Sequence, residues 1–166
     1  PTGTGDWTLP TINLTGGQVA FPASQASSAG ANTLDDYEEG TYTMSPNANL
    51  TLDGAYAVAQ YTKIGKQVCV QGQGVVSTVS GTDVVTFSIP FASGAAPTNS
   101  DGFTLAATQS SGVDIGDAGI TGQVNPSVST IRFLKLNDNA GEANVTNADL
   151  AAGDWIKFSV CYIASA

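Results

Sequence analysis

One stretch of the chain reads Ile156-Lys157-Phe158-Ser159-Val160-Cys161-Tyr162, in which apolar side chains alternate with polar or small ones. Successive side chains of a β-strand point to opposite faces of the sheet, so this alternation predicts a strand with one buried face. The same alternation recurs over residues 68–76, 84–89, 103–107 and 131–134. Repetition of this kind is typical of an antiparallel sheet that buries one side.

Turn-forming residues separate these runs, and among them are Asp53-Gly54, Gly65-Lys66 and Ser111-Gly112. No segment keeps apolar residues at helical spacing for long enough to make a substantial helix, and residues 147–150 predict one capped helical turn. We therefore predict an all-β fold with about seven or eight strands, arranged as an antiparallel β-sandwich or jelly roll.

The first forty residues differ from the rest of the chain. Short apolar pieces around Trp7, Leu9 and Phe21 lie among Gly, Ser, Thr and Pro. Such a segment has too few large side chains to form a core of its own, so it needs another surface to pack on. We predict an extended N-terminal stalk or linker over residues 1–40, packed on the main domain or a neighbouring subunit, and a β-sandwich domain over residues 41–166.

The composition excludes several function classes. The 166 residues include 14 acidic and 5 basic residues and no histidine, which gives a net charge of -9. Without histidine there is no Ser-His-Asp or Cys-His catalysis and no His-containing zinc site. So few basic residues argue against binding nucleic acid or an anionic membrane surface. No apolar run is long enough to span a bilayer, and no cofactor is predicted.

The two cysteines, Cys69 and Cys161, each lie in a predicted strand. Two are too few for a disulfide scaffold, and no CxxC pair indicates a redox site. The pattern favours two partly buried free thiols over a disulfide, which stays open as the alternative.

The densest acidic cluster is Asp35-Asp36-Tyr37-Glu38-Glu39. Neighbours in an extended chain point opposite ways, so these acids do not establish the facing pair that glycoside hydrolysis needs. The cluster also lacks the spacing of a calcium loop, so no metal site is predicted. We interpret these acids as anchors of the domain's first strand, with Lys63, Lys66 or Arg132 as possible partners.

Polar loop residues give a better functional signal than the acids do. Sugar binding combines an aromatic face with Asn, Asp or Gln side chains that bond hydroxyls. Polar side chains of this kind fill one long loop and recur at Asp83, although ordinary turn chemistry also explains them. The candidate receptor-binding residues are therefore Asn137, Asp138, Asn139, Glu142, Asn144 and Asp83.

One segment is recognisable, namely Asn32-Thr33-Leu34-Asp35-Asp36-Tyr37-Glu38-Glu39-Gly40-Thr41-Tyr42-Thr43. It resembles the signature that opens the C-terminal domain of many tail fibre proteins of tailed phages. Phe21-Pro22-Ala23-Ser24-Gln25 before it, and Tyr61-Thr62-Lys63-Ile64-Gly65 and Ile89-Pro90-Phe91 after it, resemble supporting pieces of the same family. The common TWTP continuation is replaced here by Tyr42-Thr43-Met44-Ser45-Pro46, and residues 92–153 match no motif of the family.

The resemblance implies a homotrimeric, non-enzymatic tip of a tail fibre, made in the host cytoplasm, that attaches the virion to a bacterial surface receptor. Capsule, lipopolysaccharide and an outer-membrane protein are all candidate receptors. Three copies would gain avidity from weak individual sites, and cytoplasmic synthesis would favour free cysteines. The predicted trimer-interface residues are Trp7, Leu9, Phe21, Asp35, Asp36 and Tyr37.

Two other functions stay open. A purely structural module would trimerise or fold the fibre without touching a receptor. A polysaccharide depolymerase is the less favoured alternative, because such tailspikes usually display their carboxylates on a long β-helix for which 166 residues leave no room.

Overall fold

The computed structural model of the chain describes residues 16, 37–95, 104–115, 119–137 and 141–165, and in this part the chain is all-β with almost no helix. None of the described helical residues belongs to a helix long and apolar enough to cross a membrane. The described strands are β1 (Tyr37–Thr43), β2 (Leu50–Leu52), β3 (Val58–Ile64), β4 (Gln67–Val79), β5 (Thr86–Ser88), β6 (Thr104–Ser111), β7 (Gly119–Val124), β8 (Thr130–Asn137), β9 (Gly141–Asn144) and β10 (Trp155–Ile163), and a 3-10 turn, η1, spans Asn147–Asp149.

The strands form one open sheet with the hydrogen-bonded order β1-β3-β4-β10-β6-β7-β8-β5. β2 pairs with β4 and β9 pairs with β8, outside that path. Each strand pair is antiparallel, for example Val160 of β10 opposite Val70 of β4 and Phe158 opposite Gly72. The prediction of an all-β, antiparallel fold is confirmed.

The alternating sequence of β10 explains its position at the centre of the sheet. Ile156, Phe158, Val160 and Tyr162 are all at most 4% exposed and face the core. The intervening Lys157, Ser159, Cys161 and Ile163 are exposed. A strand with this pattern buries one face completely and hydrogen-bonds along both edges.

The core lies where side chains of β5 and β8 pack against those of β4 and β10. The ring of Phe87 on β5 lies 5.0 Å from Phe133 on β8 and 6.3 Å from Phe158 on β10, measured between centroids. Gly74 on β4 makes room for this packing, since an added Cβ would lie 2.6 Å from a ring carbon of Phe87. Gly72 on the same strand is equally crowded, since an added Cβ there would lie 2.9 Å from the Cβ of Ala59.

The short segment that follows β1 reaches the other end of the strand order. The backbone N–H of Ser88 in β5 donates to the carbonyl of Ser45 at 2.8 Å, and that of Asn47 donates to the carbonyl of Thr86 at 3.1 Å. These bonds cover part of the edge of β5, which reduces the unpaired backbone available for aggregation.

The predicted single capped turn forms at η1. The carboxylate of Asp149 accepts hydrogen bonds from the backbone N–H of Thr146 at 2.8 Å and from its hydroxyl at 3.0 Å. It also forms an ion pair with Lys135 at 2.7 Å. Burial alone would raise the pKa of Asp149, but the hydrogen bonds from Lys135 and Thr146 lower it below its ordinary value.

Asn147 in η1 joins three separate parts of the chain. Its side chain is buried, and its amide donates to the carbonyls of Ala48 at 3.1 Å and Ser80 at 2.9 Å. Its carbonyl oxygen accepts a hydrogen bond from the side chain of Asn47 at 3.0 Å. This asparagine therefore stabilises the fold, because every polar atom of its side chain has a partner.

The prediction of free thiols at Cys69 and Cys161 is wrong. The two residues lie directly opposite each other on β4 and β10, and their sulfur atoms form a disulfide of 2.09 Å. The bond joins positions 92 residues apart in sequence. Both side chains point away from the core, so the register of two distant strands brings them together on the same side of the sheet.

Candidate functional site

The part of the sheet formed by β1, β3, β4, β10 and β6 has one face towards the core and one towards solvent. On β4 and β10, Val70 and Phe158 are buried, whereas the next residues, Gln71 and Ser159, are exposed. Because side chains alternate between the faces of a strand, Gln71 and Ser159 lie on the solvent side. We call this side the outer face.

A depression of about 410 Å³ lies on the outer face where β1, β3 and β4 adjoin, and Cys69 of the disulfide borders it. Polar side chains contribute to its lining, namely Glu39, Thr41, Gln60, Thr62 and Gln71. Amides and hydroxyls can each donate and accept hydrogen bonds, so a cluster of them suits a ligand that is rich in hydroxyl groups.

Three of these polar groups are uncommitted. The side chains of Thr41, Gln60 and Gln71 make no hydrogen bond with other residues in the part of the chain that the structure describes. All three side chains are exposed. Their hydrogen-bonding capacity is therefore met by solvent and is available to a ligand.

The side chain of Tyr61 lies on the opposite, core-facing side of β3, where it packs against the core. The hydroxyl of Tyr61 donates to the carboxylate of Glu38, and the ring packs edge-on against Phe91 at 5.3 Å. The hydrogen bond to Glu38, with a smaller effect of burial, raises the pKa of Tyr61 to about 12. This phenol is therefore neutral at ordinary pH, and its hydroxyl proton is committed to the Glu38 carboxylate.

Glu39, at the margin of the depression, also has a partner. Its carboxylate accepts a hydrogen bond from the Tyr37 hydroxyl at 2.9 Å, and this bond raises the pKa of Tyr37. Glu38 is the register partner of Lys63 on β3. Of the predicted partners of the acidic cluster, Lys63 is therefore the one that lies opposite a residue of the cluster in the strand register. Arg132 donates a hydrogen bond to Gln123.

A second depression of about 280 Å³ lies further along the outer face, between β10 and β6. Ala107, Gln109, Lys157 and Ser159 contribute to its lining. The ammonium of Lys157 lies 4.6 Å from the ring centroid of Trp155, which is a cation–π geometry. This arrangement holds the charge beside the aromatic ring.

The structure separates the predicted receptor-binding residues. Asp83 lies next to η1, where its carboxylate accepts a hydrogen bond from Asn49 at 2.8 Å. The next residue, Val84, forms a β-bridge with Thr146, which lies two residues after the end of β9 at Asn144. Asp83 therefore lies near the end of β9 that is farther from Gly141. That places Asp83 away from the end of the β8–β9 hairpin, where the register pairs Asn137 with Gly141.

The other candidates of this group belong to that hairpin or lie outside the description. Glu142 is an exposed residue of β9 opposite Leu136. Asn144 lies opposite Leu134, and its side-chain oxygen is buried without a hydrogen-bond partner among the described residues. Asp138 and Asn139 lie outside the described residues.

Of the predicted trimer-interface residues, only Tyr37 is described. It begins β1 and is 43% exposed. Trp7, Leu9, Phe21, Asp35 and Asp36 lie outside the described residues, as does the predicted N-terminal segment except for Gly16 and residues 37–40. Residues 37–40 belong to β1.

The described residues contain no group of three or more Cys, Asp or Glu side chains placed to hold a metal ion. The chain matches no protein-family model, no curated protein and no solved structure.

Sequence analysis does not point to the outer face as a site. The sequence does contain the polar residues of this face, because Gln60, Gln71 and Ser159 occupy the polar positions of alternating strands. Those positions predict solvent exposure, but they do not reveal which of them are neighbours across the sheet.

Proposed function

We propose that this chain is the tip domain of a tailed-phage tail fibre and attaches the virion to a bacterial surface receptor without catalysis. The observation that carries the proposal is the signature from Asn32 to Thr43, whose last seven residues are β1. The second motif, Tyr61-Thr62-Lys63-Ile64-Gly65, includes the end of β3, and Tyr37 lies opposite Ile64. The two motif segments are thus paired strands, which gives their joint occurrence a structural reason.

The chemistry beside these strands supports a glycan as the receptor. The depression next to β1 and β3 is lined by amide and hydroxyl groups that suit sugar hydroxyls. A non-catalytic role is supported by the nearby carboxylates, because Glu38 bonds Tyr61 and Glu39 bonds Tyr37. These two carboxylates are adjacent in one strand and do not form a facing pair.

The proposal includes a finer architecture. The packing of Phe87 and Phe133 against Phe158 supports a two-layered, sandwich or jelly-roll arrangement of the sheet. We propose that residues 1–40 form the stalk-side segment of a homotrimer and that residues 41–166 form the tip. The fibre would be made in the host cytoplasm and carried on the virion.

One observation favours a second role, that of a trimerisation module. Ile64 and Ile163 are 49% and 59% exposed, and each is a register partner of Gln67 on β4. Tyr37 lies opposite Ile64, so exposed apolar side chains gather at the end of the sheet where residues 1–36 join it. Such a row is typical of a surface that contacts another chain.

Competition for adsorption tests the receptor-binding role. Purified protein should block adsorption of virions that carry this fibre to their host cells, and light scattering should give the mass of three chains. Heat-unfolded protein at the same concentration is the control. A monomer that never reduces adsorption would refute the proposal, whereas a trimer without competition would favour the trimerisation module.

A further inference from the structure

The two depressions of the outer face belong to one row of residues that crosses five strands. Thr41 lies opposite Gln60, and Gln60 lies opposite Gln71. Gln71 in turn lies opposite Ser159, and Ser159 lies opposite Ala107. Directly opposite residues point to the same side of an antiparallel sheet. We call these five residues the cross-strand track.

The track is exposed along its whole length. All five of its side chains are solvent-exposed. Neighbouring strands lie about 4.8 Å apart, so the four steps from β1 to β6 span about 19 Å. Thr41, Gln60 and Gln71 line the first depression, while Ser159 and Ala107 line the second. The two depressions are therefore parts of one elongated surface.

One end of the track is open, because β1 is the first strand in the sheet order. At the other end, Ala107 is flanked by β7, since the hydroxyl of Thr121 donates to the carbonyl of Ala106 and the hydroxyl of Thr108 donates to the carbonyl of Ile120. A surface that runs to the edge of a sheet accepts a polymer that continues past that edge, whereas a closed pocket would enclose its ligand.

The track carries no charge. Its side chains are a threonine, two glutamines, a serine and an alanine. The charged groups nearest to the track already have partners. The ammonium of Lys157 lies over the ring of Trp155, and the carboxylate of Glu39 accepts a hydrogen bond from Tyr37. The whole chain has a net charge of -9, which disfavours approach of an anionic polymer. An uncharged ligand rich in hydroxyl groups fits these properties.

We infer that the cross-strand track binds an extended, uncharged polysaccharide that lies across the strands from β1 to β6. The inference rests on the proposed function and assigns recognition to a sheet face, away from the predicted loops at Asp83 and 137–144. The amides of Gln60 and Gln71 bond sugar hydroxyls at one end, and the small Ser159 and Ala107 leave room for sugar rings at the other.

Binding of the full chain to immobilised polysaccharides tests the inference. The probes are purified uncharged O-antigen chains and anionic capsular chains from host strains, followed by size-graded fragments of the one that binds. We expect an uncharged chain to bind, and we expect affinity to rise with fragment length until the track is filled.

Substitutions at both ends of the track locate the site. Gln60→Ala and Gln71→Ala should each weaken binding about two- to tenfold, the loss expected for one hydrogen-bonding side chain. Ala107→Glu should weaken it about tenfold by placing a bulky charge at the far end. Gln67→Ala is the matched control, because Gln67 is an exposed glutamine on the same strand and side, outside the track.

The outcomes separate the inference from the proposed function. If the protein blocks adsorption but the track variants bind as well as Gln67→Ala, the inference fails and the proposed function stands. If the track variants lose subunit association, the face is an interface between copies and the inference fails. Selective binding of anionic chains also overturns it, whereas failure of the unaltered protein to block adsorption counts against the proposed function itself.

Discussion

Replacing Gly74 with alanine tests the central packing contact of the fold. An added Cβ at this position would lie 2.6 Å and 2.7 Å from two ring carbons of Phe87 and 3.3 Å from a methyl carbon of Leu52. Carbon atoms pack best at about 3.5–4.0 Å, so the ring would have to move by about 1 Å. Phe87 is 1% exposed and packs against Phe133, which leaves little room for that movement.

The expected loss of stability follows from two opposing effects. Overpacking of a core costs about 1–3 kcal/mol. Replacing glycine with alanine also restricts the unfolded chain, which stabilises the protein by about 0.4–1 kcal/mol where the backbone allows it. We therefore expect Gly74→Ala to lower the free energy of unfolding by about 1–2 kcal/mol.

Gly54→Ala is the matched control, because the chemical change is the same and no atom lies within 4 Å of an added Cβ. Urea unfolding and thermal melting at equal protein concentration compare the two variants. Gly74→Ala should melt several degrees below Gly54→Ala, since about 1 kcal/mol corresponds to roughly 2–4 °C in a chain of this size. Equal or greater stability of Gly74→Ala would refute the packing of β5 against β4.

Two further predictions concern the disulfide and the capped turn. Replacing both Cys69 and Cys161 with serine should lower the free energy of unfolding by about 2–5 kcal/mol, because the crosslink closes a long loop; free thiols in the unfolded, unreduced protein would contradict this. Asp149→Asn should cost about 1–3 kcal/mol at neutral pH through its charged hydrogen bonds. Because folding lowers the pKa of Asp149, this contribution is complete above the ordinary value of 3.8 and is lost as the pH falls through the lower folded value. Urea titrations should therefore converge for the two proteins in acid, and a difference that persists there would count against the ion pair with Lys135.

The alternating runs predict their strands well because alternation directly records burial on one side. The run at 156–162 lies within β10, and the run at 68–76 lies within β4. β2 and β9 have only three and four residues, which is too short for a period of two to be recognised. Their formation depends on the neighbouring strand that each one pairs with.

The disulfide and the cross-strand track depend on register, which a single strand's sequence does not encode. Cys69 and Cys161 each lie in a predicted strand, but their contact requires β4 and β10 to pair in one particular alignment. The same alignment places Gln71 beside Ser159. Polar residues near turns, such as Asp83, resemble ligand-binding residues in a sequence. In the structure, the carboxylate of Asp83 accepts a hydrogen bond from the side chain of Asn49.

The position of β10 has a consequence for synthesis on the ribosome. β10 follows every other described strand in the chain, yet it lies between β4 and β6 and supplies the partner for one edge of β4. Translation at about 5–20 residues per second takes roughly 4 to 17 seconds to pass from residue 79 to residue 163. A hairpin forms within about 10 μs. The edge of β4 from residue 67 to residue 75 therefore waits unpaired for a long time on the scale of strand pairing, and nascent copies on the same messenger RNA compete for it until Ile163 has emerged.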